Sequence, residues 1–162
     1  MNKQKLLHIL SNLELVISGT FLCLMILIAA VNTFSRYLLN LPIFASDEIV
    51  LTLFIWTIFL GASYCYKKKL HIGVDLLVDM MPDGLQTFLK LLVGVVLVVT
   101  NIVMAYLSFQ LSANSMIRMI PLLQIPYVVR NSAAFVGFGL MSVYSIGFLI
   151  SDVKALLGRS KA

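Results

Sequence analysis

The chain has 162 residues, 60% of them hydrophobic and only 12% charged, with a mean hydropathy of +1.01 and a formal net charge of +5. A soluble domain carries about a quarter of its residues as charges to cover its surface, so an ordinary soluble enzyme or signalling module is excluded. The charges gather in short clusters between long apolar runs, as in a polytopic membrane protein, and they form no dense basic face of the kind that binds nucleic acid.

Residues 2–13 place Leu6, Leu7, Ile9, Leu10 and Leu13 among Lys3, Lys5, His8, Ser11 and Asn12, which predicts an amphipathic helix lying in the membrane interface. The apolar run from Leu15 to Phe34 is longer than the hydrophobic region of a signal peptide, and it is read as a retained first helix. A bilayer core of about 30 Å takes roughly 20 apolar residues in helical form. Four segments qualify, at about 13–36, 48–66, 87–113 and 128–150. Their unbroken hydrophobicity, as in Leu91 to Val99, lacks the alternation of a barrel strand, so each is expected to be helical. Between the second and third, His71, Asp75 and Asp79 recur every four residues and predict a short loop helix ending at Pro82-Asp83-Gly84. Pro121 and Pro126 break the chain between the last two spans, where Leu122, Leu123 and Ile125 keep the connection apolar. The fold class expected is all-α integral membrane, a single four-helix domain over residues 1–162.

Four spans put the amino terminus, the 67–86 loop and the carboxyl terminus on one side. That side holds nine of the twelve Lys and Arg residues, and the other holds only Arg36, Arg118 and Arg130. The positive-inside rule therefore places both termini in the cytoplasm.

Groups able to carry chemistry are few. Cys23 and Cys65 form no CxxC and read as small packing residues. His8 and His71 lie outside the spans, so neither is placed to hold a haem between helices. Asn101 and Gln110 read as hydrogen-bonding glue between helices. Glu14, at the edge of the first span, is either a proton-coupled carboxylate or an interfacial one that caps a helix or pairs with a nearby lysine. No catalytic residue, substrate site, metal site or cofactor is expected.

The turn between the first two spans is richer. Arg36-Tyr37, Asn40 and Pro42 precede the acidic pair Asp47-Glu48, which suits the positive end of a helix. Arg36 is expected to pair with Asp47 or Glu48, to form a polar rim that docks another protein, or both. Trp56 lies in mid-span, away from the interfacial belt where tryptophan is enriched, and its indole N–H calls for a partner. Phe54, Trp56, Phe59 and Gly61 therefore mark a face covered by protein, either a larger subunit or the chain's own helices.

In order and spacing, Arg36-Tyr37, Pro42, Asp47-Glu48, the aromatic second span, Gly61-Ala62, Lys67 to Lys69 and His71-Ile72 resemble the small membrane subunit of tripartite ATP-independent periplasmic (TRAP) transporters, the DctQ-like family. Leu123-Gln124-Ile125-Pro126 is a weaker echo of the same pattern. The chain departs from it at Ala45, where the family usually has tryptophan. The resemblance implies a multi-pass protein of the bacterial inner membrane. It implies a scaffold that packs against a large membrane subunit, which couples uptake of an organic anion to sodium after a periplasmic binding protein delivers the ligand. A small proton-coupled multidrug exporter using Glu14 is the alternative.

Overall fold

A computed structural model describes residues 12–41, 43–68 and 83–159, with side chains described over 12–41, 43–68 and 89–154. It contains four helices: α1 (Leu13–Leu38), α2 (Phe44–Lys67), α3 (Asp83–Asn114) and α4 (Val128–Arg159). Each is long and apolar enough to cross a membrane, the spanning portions of α3 and α4 being Leu89–Asn114 and Val128–Lys154. The anticipated interfacial helix over 2–13 and the loop helix with His71, Asp75 and Asp79 fall almost wholly or wholly outside the described residues.

One boundary differs in a way that matters. The apolar run places the start of the second span near residue 48, but α2 begins at Phe44. The early turn is closed by Ser46, whose backbone N–H and Oγ both donate to the Ile43 carbonyl, at 3.1 and 2.6 Å. Asp47 and Glu48 thus stand inside the helix on neighbouring flanks, because successive helical residues point about 100° apart.

The helices meet in the order α1–α2–α4–α3, so α2 and α4 are central and α1 and α3 lie at the edges. The seams hold most of the buried polar and small residues, while the outer surfaces are large and apolar. Along α1 the covered line runs Glu14, Ser18, Phe21, Met25, Ile28, Asn32 and Ser35, in alternating steps of four and three. The same steps run down α3 through Gly94, Val98, Asn101, Ala105, Ser108 and Ser112. This is the periodicity of a coiled-coil seam, and on α3 it carries mostly the small residues that let helices approach closely in lipid. Leucine, isoleucine and phenylalanine on the outside need no burial when the solvent is hydrocarbon.

The closest approach is between α2 and α4. A Cβ added at Gly137 would lie 2.8 Å from the Phe59 Cβ and 3.1 Å from the Phe59 carbonyl oxygen. Phe59 also packs edge-on against Phe138, at 5.5 Å between ring centroids. Gly137→Ala must therefore push two backbones apart, and it should destabilise the fold by about 1–3 kcal/mol. At Gly94 the added Cβ meets only the flexible end of Leu149, at 3.1 Å, so Gly94→Ala should be close to neutral. Unfolding midpoints of the two purified variants in one detergent test this contrast.

Candidate functional site

The polar groups collect at the two ends of the helix row. At the end that carries the α1–α2 and α3–α4 connections, called the hairpin end, they form a chain that crosses every helix in the packing order. Asn32, buried on α1, accepts from the Ile43 backbone N–H at 3.1 Å and donates to Asp47 Oδ1 at 3.0 Å. Arg36 reaches Asp47 Oδ2 at 3.7 Å, both side chains being more than half exposed. One residue on, Glu48 turns to the neighbouring flank of α2 and meets Arg130 of α4 at 3.3 Å. That pair is much less accessible, at 17% for Arg130 and 25% for Glu48. The guanidinium also lies over the Tyr127 ring, 4.5 Å from its centroid. Asn131, the next residue, donates to Ser115 at 2.8 Å, beyond the last residue of α3. Two adjacent polar pairs, Asp47-Glu48 and Arg130-Asn131, thus each split between two neighbours and lace the four helices together.

Just below, Trp56 donates its indole N–H to the Val129 carbonyl at 2.9 Å and meets Phe21 edge-on at 6.3 Å. Trp56 and Phe59 are therefore engaged with the chain's own α1 and α4. Phe54 and Gly61 are not turned this way. Phe54 belongs to the open stripe of α2 formed with Leu51, Ile58, Ala62 and Cys65, and a Cβ at Gly61 would meet nothing within 4 Å. Tyr37 is 78% exposed.

The hairpin end finishes in a tight turn between α3 and α4. Met119 and Pro126 form an antiparallel bridge, flanked by hydrogen bonds from Ile120 N–H to the Ile125 carbonyl and from Tyr127 N–H to the Arg118 carbonyl, both 2.9 Å. Gln124 takes a left-handed backbone, φ 51°, to close it. Ile120 is 1% exposed and plugs the turn onto the helix ends.

At the opposite, terminal end, Glu14 is buried on α1 and accepts a hydrogen bond from the Tyr144 hydroxyl of α4. Its second oxygen, Oε2, is enclosed and has no hydrogen-bond partner. The Lys67 ammonium of α2 lies over the Tyr144 ring, 5.4 Å from its centroid. Glu14 in the first turn of α1 and Lys67 in the last turn of α2 each complement the dipole of their own helix. Glu14 is therefore neither a helix cap nor an exposed interfacial group. It is a buried tie between the first and last helices.

The sequence singles out Arg36, Asp47, Glu48 and Trp56 and gives no local role to Tyr144, Arg130 or Asn131. The signal for the last two is a pair of adjacent polar residues opening an apolar span. Among the described residues, no cluster of three or more His, Cys, Asp or Glu side chains is placed to hold a metal ion.

Comparison with known proteins gives a consistent picture. The profile described as "Tripartite ATP-independent periplasmic transporters, DctQ component" matches residues 25–155. A protein of Haemophilus influenzae named as a TRAP transporter small permease is 27% identical over 153 residues, covering 93% of each chain. The sialic acid TRAP transporter small permease protein of Vibrio cholerae is 22% identical over all 162 residues, or 94% of that protein. The C4-dicarboxylate TRAP transporter small permease protein of Vibrio cholerae is 36% identical over 66 residues, covering 41% of this chain and 28% of that one.

Proposed function

Because the chain belongs to the DctQ component family of tripartite ATP-independent periplasmic transporters, a family of multi-pass transporter subunits and not of enzymes, we propose that it is a fixed scaffold with no substrate site of its own. It packs against the large membrane subunit, which carries the sodium-coupled uptake of an organic anion delivered by a periplasmic binding protein. The relatives named for sialic acid and for C4-dicarboxylates both handle carboxylates, which supports that substrate class. The excess of basic residues beside the termini supports cytoplasmic termini and a periplasmic hairpin end.

The observation that carries this reading is the state of the ionisable groups. Among the described residues they lie towards the helix ends, and Glu14, Arg36, Asp47, Glu48 and Arg130 are all committed to contacts between the chain's own helices. Nothing at mid-depth is left to bind or release a charged solute, which is what a subunit that holds rather than carries requires.

The open stripe of α2 with Phe54 and Gly61 is the face assigned to the large subunit, supported from behind by Trp56 and Phe59. A tagged chain purified from native membranes should bring down a much larger polytopic protein. Gly61→Leu should abolish that recovery while leaving the isolated chain folded, since a Cβ added there meets nothing within 4 Å. A stable homodimer active in transport without a larger protein would sink the scaffold reading.

A further inference from the structure

The turn between α3 and α4 has a surface that the helix lacing does not use. Ile117 is 93% exposed, with Met116 at 61%, Met119 at 59% and Leu122 at 55%. Arg118 stands among them, exposed, and its guanidinium has no partner among the described residues. The other two arginines of this end are matched to Asp47 and Glu48. The backbone beneath is held by the Met119–Pro126 bridge and by the buried Ile120, so the surface is preorganised and binding it costs little ordering entropy.

We infer that Met116–Leu122 is a docking surface for the periplasmic component of the transporter, through an apolar contact at Ile117 and an acidic group that pairs with Arg118. This rests on the reading above, in which the hairpin end faces the periplasm and the system has three parts. Three features favour a folded protein as the occupant. The turn continues outward from Ser115 and Arg130, the residues that fasten the outer ends of α3 and α4, which puts it at the membrane surface where a water-soluble partner arrives. Adaptable methionines around an arginine match the composition of protein interfaces. The unmatched guanidinium gives charge complementarity to an acidic patch on that partner.

The test uses the complete transporter in proteoliposomes, with uptake measured against the concentration of its purified binding component. Ile117→Ser and Arg118→Glu should each raise the concentration for half-maximal uptake about tenfold, the size of a single interface hot spot. The maximal rate and co-purification of the large subunit should be unchanged, and Arg118→Lys should retain most of the affinity. An unchanged half-maximal concentration in both variants overturns the inference. So does loss of the large subunit from the purified complex, which would make the turn a joint between membrane subunits. Quenching of a fluorophore at position 117 by brominated lipid in the assembled system would identify a membrane anchor instead and equally overturn it. A wild-type chain that recovers no large subunit at all is a different failure, and it removes the functional reading itself.

Discussion

Arg130→Ala should destabilise the protein by about 2–3 kcal/mol, and Arg36→Ala by no more than a few tenths. Both arginines pair with one of two adjacent carboxylates, yet their surroundings differ. Arg36 and Asp47 are 52% and 67% exposed and 3.7 Å apart, so water screens the attraction and replaces it when either is removed. Arg130 and Glu48 are 17% and 25% exposed and 3.3 Å apart, at the junction of the two central helices. Truncating Arg130 leaves the Glu48 carboxylate largely shielded from water with no cation beside it, and it strips the Tyr127 ring of its cover. Glu48→Ala should be similarly damaging for the mirror reason. The double variant should cost clearly less than the sum of the two, because the second substitution removes the stranded charge left by the first. Unfolding midpoints of the four proteins in a common detergent close the cycle, and additive losses would show that the two side chains act independently. Uptake should follow the same order, with Glu48 and Arg130 ahead of Asp47 and Arg36 last, because the lacing sets the shape presented to the other subunits.

The contrast between those pairs also shows where a sequence can be read and where it cannot. Hydropathy and chain length placed the four helices, because a bilayer leaves little else for four long apolar runs to do. The identity of Asp47 and Glu48 as contact residues was equally legible, since acidic groups at the start of a span stand out. Arg36 was expected to pair with one of them and meets Asp47, but the partner of Glu48 was not legible. Arg130 is 82 residues from Glu48, and pairing them requires knowing that α2 lies beside α4. That adjacency is written in small residues, Ala133 and Gly137 on α4, and hydropathy averages over them. Trp56 was recognised as needing a partner, and the choice between a neighbouring subunit and the Val129 carbonyl again depended on the packing order.

Tyr144→Phe should destabilise the protein by about 1–3 kcal/mol, more than Glu14→Gln does, and the pair of substitutions together should recover part of that loss. Glu14 is 9% exposed, and its Oε2 already lacks a hydrogen-bond partner. Removing the Tyr144 hydroxyl takes away the bond to Oε1 and leaves the carboxyl group buried with less to hold it, an arrangement whose cost is desolvation with no return. Glutamine in place of Glu14 still accepts the tyrosine hydroxyl and demands less of its surroundings, so the loss is smaller. In the double variant the group left unbonded is a neutral amide, and the penalty for stranding a carboxylate disappears. A carboxylate used for proton coupling behaves otherwise, since Glu14→Gln would then abolish transport while leaving the fold intact. Measured side by side, unfolding midpoints and uptake by the assembled transporter separate the two. A stability cost with uptake retained in the folded fraction makes Glu14 a tie between α1 and α4, and loss of uptake at unchanged stability makes it part of a transport step.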